Sequence, residues 1–435
     1  MTVHYGVILA AVLALAAAGP ASAQYGDASS GKDAAASRGK AQDAARSGRA
    51  TRGRNSLRTH EVDERTNKRL NAARNAFLAE DYEAAEASLA RLRERSLNPL
   101  ERQQAHELRG YIAAARGNNA GARQHFESAI AQGTMTGSER ADARFLIARL
   151  CLADAIWPEA IENLKTWFEI ATDPNAVAYY LLALAHYQTG DLETAVMPAQ
   201  QAVDLTGEPQ EGWLQLLLAL RLTRKEYEAS VPLLETLVQR YPKKSYWLSL
   251  STVHGALGDY EEALVPLQLA YSQGYLTEDS ELRRLAQLLL FLGQPYRAAR
   301  LVQDGLEHER IDADSEIYEL LGNSWIAARE FEKTVAPLSK AAELAEDGDL
   351  FVRLAQVQIA REKWAAAALA LRRAIELGGL KKPGDAKLLM GIAVYNSDRP
   401  RQAKAWFTRA RAHEETRSEA DQWLFHIEHE QQQAG

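Results

Sequence analysis

Two histidines one helical turn apart, His426 and His429, are the nearest approach to a metal-binding pair in this chain. Imidazoles at that spacing leave one helix face together, and a divalent cation would take them with a third ligand. Glu428 and Glu430 stand beside them, but a well-placed third ligand is not apparent. The same residues read as the polar side of a helix whose Trp423, Leu424 and Ile427 form an apolar side, as in a solvated cap. Cys151 is the only thiol. It sits among Ile147, Leu150 and Leu152, the setting of a small buried hydrophobe rather than a nucleophile. The sequence has no His-Glu-x-x-His pair, no phosphate-binding Gly-x-x-x-x-Gly-Lys-Ser/Thr loop and no Gly-x-Ser-x-Gly turn. Gly31-Lys32 falls in a low-complexity stretch. Carboxylates lie on helix faces, where solvation or i,i+4 pairing is ordinary. The expectation is a protein that is not an enzyme and uses no metal and no cofactor.

The elements behind these residues are helical. The 435-residue chain is 46% hydrophobic and 25% charged, ordinary for a folded protein, with a formal net charge of -7. Alanine and leucine dominate, against 13 prolines and 9 phenylalanines, which favours helix over strand. Length alone would give about three domains, but internal repetition overrides that count.

Residues 1–23 read as a cleavable export signal. An apolar run, Gly6 to Ala18, is followed by the helix breaker Gly19-Pro20 and by Ala21-Ser22-Ala23. Small residues at the last and third-last places suit a signal peptidase. Cleavage is expected after Ala23. The first five residues carry no Lys or Arg, so an uncleaved anchor and an upstream start codon stay open. The run is short against the roughly 20 residues of a membrane-spanning helix. Residues 24–60 hold eight basic residues against three acidic ones, a net +5, which leaves -12 on the rest of the chain. With almost nothing to bury, this arm is expected to be disordered. It reads as a solvated spacer, or as a basic contact for anionic lipid, cell wall or an acidic partner. Nucleic acid is not an expected partner, because the acidic remainder repels phosphate. Membrane contact is expected only indirectly or through the arm.

From residue 61 to about 415 one phrase recurs: a turn, an aromatic or Leu, two residues, a small residue, and a large apolar residue four further on. The small residues are Ala85, Ala122, Ala160, Ala195, Ser230, Ala263, Ala298, Thr334, Ala367 and Ala403. They recur every 33 to 38 residues. The sixth unit is the clearest, with Trp247, Leu250, Ser251, Gly258, Tyr260, Ala263, Leu267 and Ala270. This pattern resembles the tetratricopeptide repeat, a helix pair of about 34 residues. The resemblance implies an all-α solenoid, a right-handed superhelix of about ten antiparallel helix pairs. A capping helix and tail are expected over 416–435. Small residues in the first helices (Gly110, Ala183, Ala286, Gly322, Ala355, Gly391) would let the second helix approach closely.

Prolines add a second rhythm: Pro198, Pro266 and Pro337 each follow the small residue by three places, and Pro232 by two. Proline beyond the first turn removes a backbone hydrogen bond and bends a helix. Either the loss is tolerated near the start of a short helix, or the central repeats are bent to set curvature. On the second reading Pro266→Ala changes the small-angle scattering profile, and an unchanged profile removes it.

In the tetratricopeptide family the first helices line the concave, ligand-binding face. Carried over by position, that face holds Tyr180, Leu184 and Tyr187, then Arg283, Gln287 and Phe291. It continues with Glu319 and Asn323, Gln356, and Tyr395 and Asn396. Mixed aromatic, amide and charged side chains suit a peptide in a groove. The family's carboxylate clamp needs Lys and Asn at set places in adjoining repeats, and that set is missing.

A narrower resemblance rests on the stretches Leu237-Val-Gln-Arg-Tyr-Pro-Lys-Lys-Ser-Tyr-Trp247, Ala270-Tyr-Ser-Gln-Gly-Tyr-Leu-Thr277 and Gln294-Pro-Tyr-Arg-Ala-Ala299. It includes Asp347-Gly-Asp-Leu-Phe-Val-Arg-Leu-Ala-Gln356 and Leu377-Gly-Gly-Leu-Lys-Lys-Pro-Gly384. These resemble exported tetratricopeptide proteins of Gram-negative bacteria associated with TonB, ExbB and ExbD energy transduction. The resemblance implies a periplasmic protein-binding scaffold accessory to TonB-dependent transport. A scaffold for cell-envelope or cell-wall assembly stays open as the alternative.

Overall fold

The computed structural model describes residues 62–433. The expected export signal and the basic arm lie outside them. The chain divides into two compact units, the first ending at Leu233 and the second starting at Leu234.

The first unit opens with α1 (Glu64–Leu78) and α2 (Tyr82–Ala90), then α3 (Pro99–Ala115) with α4 (Asn119–Ile130). It continues with α5 (Gly137–Ala153) and α6 (Trp157–Ile170), α7 (Ala176–Gln188) and α8 (Leu192–Asp204), and α9 (Glu211–Thr223). The boundary between units falls inside α10 (Tyr227–Arg240). The second unit holds α11 (Lys244–Leu257) with α12 (Tyr260–Ser272), α13 (Asp279–Phe291) with α14 (Pro295–Glu307), and α15 (Ser315–Ala327) with α16 (Phe331–Ala345). Then come α17 (Gly348–Ala360) with α18 (Trp364–Leu377), α19 (Pro383–Tyr395) with α20 (Pro400–Arg411), and a last helix, α21 (Arg417–Gln433). No strand occurs among the described residues. Among the described residues the fold is an all-α repeat solenoid, with ten helix pairs followed by a single helix. Within each unit the two helices of a pair pack on each other, and second helices also pack on the following first helix, as α16 does on α17.

The repeated small residue has one place in all ten pairs: the fourth residue of the second helix. Each is at most 2% exposed. Four residues on, Leu89, Phe126, Leu164, Ala199, Leu234, Leu267, Val302, Leu338, Leu371 and Phe407 are equally buried. That i, i+4 stripe faces the first helix of the pair. Where the large residue is bulkiest the first helix has no side chain opposite: a Cβ on Gly110 would come within 2.9 Å of the Phe126 ring. The four helices carrying Pro198, Pro232, Pro266 and Pro337 continue through the proline.

Every turn inside a pair has a left-handed residue two places before the second helix. Glycine fills four of these (Gly117, Gly190, Gly258, Gly293), and Glu80, Ala155, Lys225, Arg329, Glu362 and Asp398 the rest. In nine of the ten turns the next N–H reaches back to the carbonyl five residues earlier, as Asp259 does to His254 at 3.0 Å. This 6→1 bond satisfies a carbonyl left open by the helix end. A side chain at positive φ costs roughly 1–2 kcal/mol. Glu362→Gly (φ 53°) is therefore expected to stabilise the second unit by about 1 kcal/mol, and Gly258→Ala (φ 88°) to weaken it by about as much. A Cβ on Gly258 meets nothing within 4 Å, so the effect is one of backbone strain. Urea unfolding of both variants measures it.

Candidate binding surface

Several first helices start at side-chain caps that hold their registers, among them those capped by Asp63, Asn98, Thr136, Asn175, Asp314 and Asp347. Asn98 and Thr136 each form a capping box, with Glu101 and Glu139 respectively. Buried Glu101 also accepts the Asp63 N–H at 2.8 Å, which ties α3 to the start of α1. Helices fixed in this way bring side chains of successive first helices within reach of each other.

In the first unit, Tyr180, Leu184 and Tyr187 share one face of α7 and are all half-buried. Tyr180 stacks on Trp213 of α9, with ring centroids 5.6 Å apart and planes 23° apart. Burial raises the hydroxyl pKa of Tyr180 and of Tyr187. Tyr180 thus joins two consecutive first helices. A groove of about 450 Å³ lies elsewhere in this unit, beside Arg109, Arg116 and His125. Both arginines are already paired, Arg109 with Glu94 and Arg116 with Glu86. The His106 and His125 rings sit 5.7 Å apart, and burial lowers the pKa of each.

In the second unit a run of polar struts links α11, α13, α15 and α17. Lys244 bonds Glu278 at 3.0 Å and Glu281 at 2.7 Å. Arg283 is fully committed. Its Nε donates to Asp279 at 2.7 Å, and its guanidinium donates to the Asp312 carbonyl at 2.7 Å and pairs with Asp314 at 2.8 Å. Burial opposes its charge, yet the bonds to Asp314 and Asp279 outweigh that and raise its pKa. Arg353 reaches back from α17 to Glu319 and Asn323 together. Four of the residues read from sequence are thus spoken for: Arg283, Glu319 and Asn323 act as struts, and Tyr395 packs under α21. The Tyr395 hydroxyl donates to Glu430 at 2.6 Å, and that bond, with burial, pushes its pKa up to about 12.

Exposed between the struts are Gln287, Phe291 and Gln356, together with Asn396 at the end of α19. Phe291 is 68% exposed and touches Tyr260 edge-on, with centroids 4.9 Å apart. Arg284 has no counterpart in the sequence reading. It donates to the hydroxyls of Thr252 at 3.0 Å and Ser251 at 3.4 Å and makes no ion pair among the described residues. Burial lowers its pKa. A guanidinium stays charged regardless, so Arg284 is a cation without an acid among the described residues, on the same helix as Gln287 and Phe291 at i, i+3 and i+7 spacing. The i+1 step from Arg283 carried the signal, but which arginine turns to the acids depends on where Asp314 lies in space.

His426 and His429 both lie on α21. His426 bonds Tyr395 at 3.1 Å, and among the described residues no group of three His, Cys, Asp or Glu side chains is placed to hold a metal. Cys151 is fully buried, and burial raises its thiol pKa to about 11. The native protein is expected to resist thiol reagents at neutral pH and to react only after unfolding; rapid labelling of native protein would contradict this. No helix among the described residues is long and apolar enough to cross a membrane.

A family model described as tetratricopeptide repeat matches residues 70–134, the span of the first two helix pairs. No curated protein matches the chain. Solved structures similar to parts of it include the MamA protein, 19% identical over 40% of this chain and 94% of that one, with a TM-score of 0.34. A tetratricopeptide repeat protein from Parabacteroides merdae is 17% identical over 68% of this chain and 100% of its own, also at a TM-score of 0.34. The Cut9–Hcn1 hetero-tetramer of APC/C gives 13% identity over 83% of each chain and a TM-score of 0.29.

Proposed function

We propose that this chain, which carries tetratricopeptide repeats at 70–134 and the same helix pair throughout, is a non-enzymatic scaffold that holds other proteins in the periplasm. The observation that carries the reading is the first-helix face of the second unit. There Arg284, Gln287, Phe291 and Gln356 stand on helices fixed by inter-helix struts. Side chains pre-positioned in this way lose little freedom on binding, which favours a peptide or protein ligand. Export to the periplasm rests on the leader-like residues 1–23. Accessory service to a TonB, ExbB and ExbD system rests on the resemblance of the stretches between Leu237 and Gly384.

A photo-crosslinking residue at Gln287 or Phe291, in cells that make the protein, tests the reading. Adducts with energy-transducer components are expected. Adducts confined to cell-wall synthases would move the protein to envelope assembly, the second reading. Absence of any protein adduct at both positions, with adducts forming elsewhere on the chain, would remove the first-helix face from the account.

A further inference from the structure

The second unit has another groove, on the opposite set of helices. It runs between the second helices α14 and α16, with Tyr318 and Trp325 of α15 at its floor, and encloses about 560 Å³. Arg300, Lys333 and Lys340 stand along it, all exposed. Two of these cations are held over aromatic rings. Lys333 Nζ lies 4.8 Å from the Trp325 ring centroid and 5.4 Å from that of Tyr296. Lys340 Nζ lies 5.0 Å from the Tyr318 centroid, and 3.5 Å from its hydroxyl. Lys333 has one weak ion pair, to Glu330 at 3.3 Å, whereas Arg300 and Lys340 have none among the described residues. The acid in the lining, Glu307, accepts a hydrogen bond from Gln303 instead. Pro337 also lines the groove, and it has no N–H to give the Lys333 carbonyl.

We propose that this groove docks an acidic, extended segment of a partner protein. Its surface offers what such a segment lacks. Arg300 and Lys340, cations without carboxylate partners among the described residues, take Glu or Asp side chains, and the apolar walls between them take intervening side chains. The groove contrasts in charge with the rest of the folded chain. The chain beyond the arm carries -12, yet this groove gathers three cations on two neighbouring helices. Nucleic acid does not fit: base stacking needs open aromatic faces, and here lysines already cover two of the rings. A bilayer fits no better, since a concave slot between helices touches little of a flat anionic surface. The proposal concerns a different surface from the first-helix face and stands whether or not that face binds.

The test uses the full chain and a fluorescein-labelled peptide of alternating Glu and Leu, read by anisotropy at low salt. Saturable binding is expected, weakened about tenfold or more in Arg300→Glu/Lys340→Glu and unaffected by Arg401→Glu at an exposed position of α20. Thermal melting shows whether the double variant is folded; if it is not, Arg300→Gln/Lys340→Gln replaces it with the same expectation. Equal binding by the folded double variant, or equal binding of the Lys-Leu counterpart peptide, overturns the proposal. So does stronger retention on phosphatidylglycerol vesicles than on the peptide when the double variant abolishes it, since that makes the groove a lipid site. Self-association in the ultracentrifuge that the double variant abolishes assigns the groove to a second copy and overturns it equally.

Discussion

Gly391→Ala is expected to destabilise the second unit by about 1–3 kcal/mol, the usual cost of overpacking a filled core. The added Cβ would lie 2.5 Å from Cε1 of Phe407. That ring has little room to yield. Phe407 is fully buried, and on its far side it stacks on Trp423, with planes 3° apart and centroids 5.3 Å apart. Either the ring leaves its rotamer or α19 and α20 move apart. Gly255→Ala provides the control. Gly255 lies in α11 with nothing within 4 Å of a built Cβ, so alanine should stabilise it by roughly 0.5–1 kcal/mol through chain entropy and helix propensity. Opposite signs in urea unfolding establish close helix approach as the reason for glycine at 391. The same sign in both variants would remove that explanation.

Removal of α21 is expected to cost more. The helix places Ala420 and Ile427 in one cluster with Leu388, Ala403, Phe407 and Ala410, all buried. Truncation after Thr416 uncovers Phe407 and deletes Ile427, which removes on the order of 3–6 kcal/mol of apolar burial. It also strands the Tyr395 hydroxyl, whose partners Glu430 and His426 are on the deleted segment. In a stacked array a lost end cap is felt first by its neighbour. Amide hydrogens of α19 and α20 should therefore lose their protection from exchange, and the truncated protein should aggregate through the bared face. Unaltered protection in α19 would show that the last pair closes the stack unaided. Phe425→Ser is the matching neutral change: Phe425 is 70% exposed, and its replacement should stay within about 0.5 kcal/mol.

The repeat was legible because it is a local property. A small residue every 33 to 38 places, followed by a large one four further on, is a spacing along the chain. A 3.6-residue helix turns that spacing directly into a buried stripe. The small residues of the first helices were readable for the same reason, and Gly110, Gly322 and Gly391 do lie against Phe126, Leu338 and Phe407 respectively. Half-legible were the turns. Glycine announced four of them, but Lys225, Arg329 and Glu362 hold the same left-handed conformation with side chains that give no such sign. There the paired helices and the 6→1 bond enforce a conformation that local preference disfavours.

The surface was least legible. Arg283 and Arg284 are adjacent and chemically identical, yet one is tied to Asp279 and Asp314 while the other rests on two hydroxyls without an acid. Tyr395 sits at a face position in its own helix, but α21 folds over it. The groove beside Lys333 and Lys340 is made by helices whose residues lie some distance apart in the chain. Charge pairing and ring contacts fall off within a few ångströms, so they are settled by the distance between helices rather than by position along one. Helix pairs, their number and their buried stripe thus follow from residue order. Which cations remain free to meet a partner follows from how those pairs stack.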